Sequence, residues 1–155
     1  NGSTQSITLD GDENMQPDMV WIKDRSDANW HNITDSVRGH SKPIYPNGND
    51  AEGTNPYVNA FNSNGFGIGS SGTDVNGNTN TYVAWCWKAG TSFSNDASAT
   101  SIGTIDSSGS VNDTAGFSIC SFTGTGSNGS IKHGLSTVPN MIITKSIFKY
   151  RCGKN

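Results

Sequence analysis

The segment Gln16–Lys23 (QPDMVWIK) recurs near the far end of the chain as VPNMIITK at Val138–Lys145. In each copy a proline, which cannot donate to a ladder and suits the first position of a strand, precedes a short apolar run and a lysine. The upstream residues match as well, since Ile7 corresponds to Ile131. The run Met19–Ile22 predicts a buried strand. A repeat of such a long period indicates a duplicated domain unit, so we expect one nearly whole unit followed by the opening of the next.

The composition favours an all-β fold. Of the 155 residues only 32% are hydrophobic and 15% charged, and 19 are glycines. Abundant small polar residues suit many short strands joined by tight turns. Four Trp and six Phe argue against disorder. No stretch of ten or more residues has a helical period, so we predict two packed antiparallel sheets.

Charge and cysteine content exclude several classes of protein. The net charge is −3 and no basic patch is interleaved with aromatic residues, so no nucleic-acid partner is expected. No apolar run approaches the roughly 20 residues of a membrane span, so no membrane insertion is expected. Three cysteines without a C-x-x-C motif imply neither a disulfide framework nor a zinc site. Cys86 and Cys120 lie in strand patterns and are predicted to be buried free thiols, whereas Cys152 lies in a polar tail.

Three further local patterns make specific predictions. Thr81–Trp87 is β-branched and aromatic on both faces, so it should be a central strand covered on both sides. Its tryptophans, and Trp21, are expected in the core. Asn76-Gly77 is typical of a type I′ hairpin turn. The alternating segment Trp30–Asp35 predicts a further strand.

The motifs that carry a family resemblance follow one another as PDMVWIKDRS (17–26), DSVRG (35–39), AE (51–52), FNSNGF (61–66) and YVAWCWKAG (82–90). In order and spacing they resemble a family of repeat domains of unknown function in tail-fibre and other structural proteins of marine bacteriophages, including cyanophages. GFSICSFTG (116–124), KHGL (132–135) and PNMII (139–143) resemble the opening of a further unit. The resemblance implies a concanavalin-like jelly-roll sandwich.

The same resemblance implies a domain organisation. Residues 1–90 would be a β-sandwich unit lacking its first strand, residues 91–115 a linker or long loop, and residues 116–155 the start of a second unit. We hypothesise that Phe117–Phe122 fills the edge left by the missing strand, as in a circular permutant, because the ends of such domains lie close together. This requires Phe117–Phe122 to pair with a strand from residues 15–90.

The turn-rich loop around residues 42–57 offers the best candidate binding site. A sugar site needs an exposed aromatic face together with amide and carboxylate groups on a rigid scaffold. Tyr45 and Tyr57 are flanked by prolines in this loop and are expected to be exposed. The predicted ligand-binding residues are Trp30, Tyr45, Asn47, Asn49, Asp50 and Tyr57.

Metal binding and catalysis are weaker interpretations. Calcium is the one cofactor considered, and two incomplete oxygen clusters are its candidates: Asp10, Asp12 and Asn14, or Asp50 and Glu52 with Asn49. For catalysis, Asp35, Asp50 and Glu52 could supply a glycosidase carboxylate pair. Alternatively, Asp35 pairs with Arg38 or caps a turn. The three histidines have no supporting nucleophile motif and are interpreted as structural or solvated.

These observations, with the resemblance, favour a non-catalytic adhesion or carbohydrate-binding module of a phage tail-fibre-like protein. Its partner would be a host-surface glycan or another surface polysaccharide, and its location extracellular or on the virion surface. Two alternatives stay open: a structural spacer that stacks unit on unit in a fibre, and a glycan-cleaving enzyme. A homo-oligomer is also left open.

Overall fold

The computed structural model describes residues 2–70 and 72–148, in which nine strands and two single helical turns succeed one another. The elements are β1 (Gln5–Thr8), β2 (Met19–Asp24), β3 (Asn32–Asp35), β4 (Val58–Asn62), β5 (Gly65–Ile68), α1 (Thr73–Asn76), β6 (Tyr82–Trp87), β7 (Thr91–Asn95), α2 (Ala97–Thr100), β8 (Ser107–Asn112) and β9 (Phe117–Phe122). They form three small three-stranded sheets in the orders β1-β5-β4, β3-β2-β6 and β7-β8-β9. The pairs β1-β5, β5-β4, β3-β2, β7-β8 and β8-β9 are antiparallel. The all-β prediction is confirmed.

The chain divides into two compact units. The large unit comprises residues 1–86 with those from 143 on, and the small unit comprises residues 87–142. In the large unit, β2, β4 and β5 contribute to one hydrophobic core. That core contains the fully buried Val20, Ile22, Val58 and Phe66. Two sheets of this unit therefore share a core, as sheets packed face to face do.

β2 shows why the repeated segment forms a strand at this position. Its residues alternate strictly between buried and half-buried, and Val20 and Ile22 are 0% and 1% exposed. It pairs with β3 on one side and β6 on the other. The prediction of a buried strand at Met19–Ile22 is confirmed for its inward-facing residues, whereas Trp21 on the opposite face is half-buried.

β6 corrects a prediction of the sequence analysis. It lies at the edge of its sheet rather than at the centre. Trp85 is 44% exposed, and its ring meets the edge of Trp21 at 5.7 Å. β2 occupies the central position, and only one of its two faces is buried. The core role expected of Trp85 was therefore wrong: the exposed Trp85 and the half-buried Trp21 form an aromatic pair on the outer face of the sheet.

Residues 72–77 correct a second prediction. Asn76 ends the helical turn α1 and Gly77 has φ −63°, so no type I′ turn, which needs positive φ at both positions, forms. The Asn76 side chain is buried, and its amide nitrogen donates to the main-chain oxygens of Ser3 at 2.7 Å and Gly69 at 2.9 Å. Gln5 donates to its amide oxygen at 2.9 Å. A buried side-chain hub replaces the hairpin.

Residues 91–115 were predicted to be a linker or long loop, but they contain β7, α2 and β8. Serine, glycine and asparagine give this stretch no apolar alternation, so the backbone ladder itself carries the pairing. β9 pairs with β8 from Asn112↔Phe117 to Ser107↔Phe122. The partner that the structure gives to Phe117–Phe122 is thus β8, not one of the strands within residues 15–90.

The second copy of the repeated segment behaves differently from the first. Among the described residues, 138–145 form no strand, and Ile142 is 76% exposed although its counterpart Val20 is fully buried. Val138 and Met141 are exposed as well.

Cys86 and Cys120 are free and half-buried, whereas Cys152 lies outside the described residues. Within residues 2–70 and 72–148, no helix has the length and apolar character that crossing a bilayer would require.

Candidate functional site

A cleft of about 250 Å³ in the large unit brings together residues that are distant in sequence. It is lined by Trp30, Tyr45, Asp50, Tyr57 and Asp74, and we call it the aromatic pocket. Four of these are among the six predicted ligand-binding residues. Ligand pockets usually have volumes of about 300–1,000 Å³. This cleft lies just below that range and matches one ring-sized group better than an extended ligand.

The loop that carries Tyr45 and Asp50 is fixed to β3. Ile33 and Ile44 exchange two main-chain hydrogen bonds, at 3.0 and 2.9 Å, in an isolated antiparallel bridge. Further along the loop, Gly53 N donates to Pro43 O at 2.9 Å and closes it on itself. The loop is therefore held at both ends of the stretch that lines the pocket.

Arg38 clamps the same loop through two carboxylates. Its Nη2 donates to Asp35 Oδ2 at 2.5 Å and its Nη1 to Glu52 Oε2 at 2.8 Å. Asp35 is buried and Glu52 half-buried. The pairing of Asp35 with Arg38, one alternative from the sequence, is confirmed. Because Arg38 holds both carboxylates, they fasten the loop to β3 and are not turned toward the pocket as a carboxylate pair.

Trp30 forms the exposed face of the aromatic pocket. It is 41% exposed, and its ring lies edge-on to that of Tyr45, with ring centroids 5.8 Å apart. Its main-chain nitrogen donates to Asp74 Oδ1 at 3.3 Å. An indole that is held by its backbone and by a neighbouring ring offers a flat apolar surface to solvent at low cost in conformational entropy.

Tyr57 corrects the expectation that both loop tyrosines are exposed. Its side chain belongs to the hydrophobic core, and its hydroxyl donates to Asp74 Oδ2 at 3.0 Å. Burial, followed by the hydrogen bond and the charge of Asp74, raises the pKa of the Tyr57 hydroxyl well above its usual value. The Tyr57 hydroxyl therefore stays protonated and bonded to the Asp74 carboxylate in the pocket lining. Tyr45 is half-buried.

Each of the three aromatic rings lies against a glycine. A methyl group on Gly48 would lie 2.0 Å from Trp30 Cζ3, closer than any side chain tolerates. Methyl groups at two other glycines would meet Tyr45 Oη and Tyr57 Cε1, each at 2.7 Å; these are Gly53 and Gly72. The ring positions are thus set by the absence of side chains opposite them.

A buried carboxylate supports the segment leading into Trp30. Asp24 accepts hydrogen bonds from Ser26 N at 2.7 Å, Asn29 Nδ2 at 2.8 Å and Asn80 Nδ2 at 2.6 Å, with a longer one from Asp27 N. Burial alone would raise its pKa, but these donors outweigh it and lower the pKa of Asp24 to about 2. Asn29, fixed in this way, immediately precedes Trp30.

The remaining predicted site residues lie beside the pocket or away from it. Asn47 is exposed, and its Oδ1 accepts a hydrogen bond from His31 N at 3.0 Å. Asn49 is exposed. The sequence analysis missed Asp74, which lies in the first turn of α1. An acidic residue in a first helical turn is a recognised signal, but the predicted hairpin at Asn76-Gly77 concealed it.

The two calcium candidates lie on different loops of the large unit. Asp10, Asp12 and Asn14 lie exposed in the loop after β1, and Glu52 is bound by Arg38. In the described part of the chain, no group of three or more His, Cys, Asp or Glu side chains is arranged to hold a metal ion.

A larger groove of about 330 Å³ lies in the small unit, but its polar groups are used internally. Asp96 accepts from the main-chain nitrogens of Ser98 and Ala99, at 2.9 and 3.1 Å, and so caps α2. Asp106 accepts from Ala97 N at 2.8 Å. With one aromatic ring and structural carboxylates, this groove has weaker recognition chemistry than the aromatic pocket.

Comparison with protein families gives one match. A family model described as a domain of unknown function, DUF7483, matches residues 1–151. Comparisons with curated proteins and with solved structures give no match. The family match spans the elements of both units and all five residues of the aromatic pocket.

Proposed function

The chain belongs to the DUF7483 family of domains of unknown function, and we propose that it is a non-catalytic carbohydrate-binding module whose site is the aromatic pocket. The observation that carries this proposal is the convergence of an exposed indole, two tyrosines and two aspartates on one small cleft. Pyranose rings present C–H groups that pack on aromatic faces, and hydroxyls that donate to carboxylates.

The rigidity of the pocket supports binding rather than chemistry. The loop is held by the salt bridges of Arg38 and by the Ile33–Ile44 bridge, and the aromatic rings are held by their contacts with glycines. A preorganised site loses little entropy when a ligand binds. Two of the three carboxylates considered for glycoside hydrolysis, Asp35 and Glu52, are engaged by Arg38, which makes a glycan-cleaving enzyme the less favoured alternative.

The wider biological setting is part of the same proposal and rests on the resemblance of the motifs. We propose that the module belongs to a phage tail-fibre-like protein exposed on a virion, with a host-surface polysaccharide as partner. The two sheets that share a core in the large unit would belong to a concanavalin-like sandwich. The exposed second copy of the repeat favours, as a second candidate, a spacer that stacks on further units.

A glycan array with matched variants tests the proposal. Trp30→Ala removes the exposed ring and should weaken binding by about tenfold or more. This corresponds to a loss of about 1.4 kcal/mol or more of binding free energy. Trp85→Ala removes an equally exposed indole that does not line the pocket and should leave binding unchanged. Gly48→Ala keeps the Trp30 ring but displaces it, so it should also weaken binding.

The outcome separates the candidates. Binding that survives both Trp30→Ala and Gly48→Ala would remove the aromatic pocket as the site. A chain that binds no glycan on the array, while folded by circular dichroism, would refute the binding function and leave the spacer. Release of reducing ends from a bound glycan would show that the site is catalytic.

A further inference from the structure

We propose that the aromatic pocket accepts an uncharged sugar residue and rejects anionic sugars, with Asp74 as the residue that determines this specificity. The inference rests on the proposed function and narrows it to a ligand class. It follows from the charge of the pocket lining, which holds two carboxylates and no lysine or arginine.

The charge of Asp74 is not neutralised by its partners. Its two oxygens accept hydrogen bonds from the main-chain nitrogen of Trp30 and from the hydroxyl of Tyr57, both of which are neutral donors. Within the described residues, both salt bridges involve Arg38, and neither includes Asp74. Neutral donors fix the orientation of the carboxylate and supply no compensating positive charge.

The other charged groups near the pocket do not reverse this field. Lys145 directs its ammonium to the main-chain oxygens of Asp50 and Ser146, at 3.0 and 3.2 Å, so it lies beside Asp50, and among the described residues no salt bridge joins it to Asp74. Next to Trp30, His31 accepts a hydrogen bond at Nδ1 from Trp21 Nε1 at 3.0 Å, which requires an unprotonated nitrogen. Burial and then the charge of Lys23 lower the pKa of His31, so this imidazole is neutral at pH 7.

An anionic sugar would therefore bring a like charge close to Asp74, whose hydrogen-bond donors are neutral and which forms no salt bridge among the described residues. The cleft of about 250 Å³ has room for about one ring, so a carboxylate on that ring cannot be placed far from Asp74. Like charges a few ångströms apart in a partly desolvated site repel each other strongly enough to weaken binding by about tenfold or more. The repulsion should decrease with added salt where the site is open to solvent.

The test uses matched probes that differ only in charge. The probes are the methyl glycosides of glucose, galactose and mannose, each with its uronate, measured against the full chain by calorimetry or by chemical-shift titration. We expect at least one neutral glycoside to bind and its uronate to bind about tenfold more weakly. Asp74→Asn keeps an oxygen for Trp30 N but places an amide donor opposite the Tyr57 hydroxyl. Because its side chain is uncharged, it should reduce the difference between the neutral and uronate affinities to threefold or less, whatever its effect on the neutral affinity itself.

Each outcome distinguishes the inference from the function beneath it. Uronates that bind as tightly as their neutral counterparts, or a gap that persists unchanged in Asp74→Asn, would overturn the inference and leave a sugar site. Failure of all six probes to bind the wild-type chain would refute the site itself. Asp12→Asn, which removes an exposed carboxylate far along the sequence from the pocket residues, provides the charge control and should leave the gap unchanged.

Discussion

Replacing Asp24 by asparagine should destabilise the large unit by an amount that depends on pH. Asp24 is 1% exposed, and its two oxygens accept four hydrogen bonds. Asparagine presents an NH₂ group in place of one oxygen, so at least one donor loses its acceptor and faces another donor. A buried polar group left without a partner costs about 1–3 kcal/mol.

The pKa of Asp24 gives an independent magnitude. The pKa is lowered from 3.8 to about 2 in the folded chain, which corresponds to about 2 kcal/mol of folding free energy at pH 7. A carboxyl group whose folded pKa is depressed contributes stability above its unfolded pKa and loses it as the pH falls through the folded value. The difference between wild type and Asp24→Asn should therefore be about 2 kcal/mol at pH 7 and about half of that at pH 3.

Urea unfolding at the two pH values, followed by tryptophan fluorescence, measures this difference. Three of the four tryptophans lie in residues 1–86, so the signal reports mainly on the large unit. Asp27→Asn removes an exposed carboxylate from the same loop and should stay within about 0.5 kcal/mol of wild type. A loss below about 0.5 kcal/mol for Asp24→Asn, or one that is equal at pH 7 and pH 3, would refute the proposed role of the four hydrogen bonds.

Two further predictions concern pH and the repeat. Burial and the charge of Lys23 lower the pKa of His31 in the folded chain, so the unfolded chain binds a proton at His31 at a higher pH than the folded chain does. The stability of the folded chain should therefore fall as the pH drops below about 6.5. His31→Gln should flatten the dependence of the melting temperature on pH in this range, and wild-type and variant curves that run parallel would contradict the prediction. Val20→Asp should unfold the large unit, whereas Ile142→Asp should change the melting temperature by less than about 2 °C, because only Val20 is buried. Equal effects of the two substitutions by differential scanning calorimetry would show that Ile142 is buried in solution.

The sequence was most informative where side-chain chemistry and local order coincide. The proline and apolar run of Met19–Ile22 were sufficient to predict β2. The turn-rich loop supplied Tyr45, Asp50 and Tyr57 as candidates, and the structure places them at one cleft with Trp30. In a small β protein, few environments can accommodate an aromatic side chain from a proline-flanked loop. Such residues lie either in the core or at a cleft. Tyr57 does both, because its ring packs in the core and its hydroxyl donates to Asp74 at the cleft.

The sequence failed where the backbone rather than the side chains carries the structure. β7 and β8 consist largely of serine, glycine and asparagine, so their ladder has no periodic apolar signal. The role of Asp74 was not predicted for another reason. It joins the pocket through hydrogen bonds with Trp30 and Tyr57, which are remote from it in the chain. Such pairings become visible only when the strands between them are in place.

The two copies of the repeated segment show that a strand pattern needs a partner to become a strand. Val20 is buried because β3 and β6 flank β2 and because β4 and β5 share its core. Ile142 has the same proline and lysine around it, yet no described strand pairs with its segment, and it remains exposed. The hydrophobic effect acts only on apolar surface that a neighbour can cover. The residues that supply the cover, more than the repeated motif, therefore decide which copy organises the fold and where the aromatic pocket forms beside it.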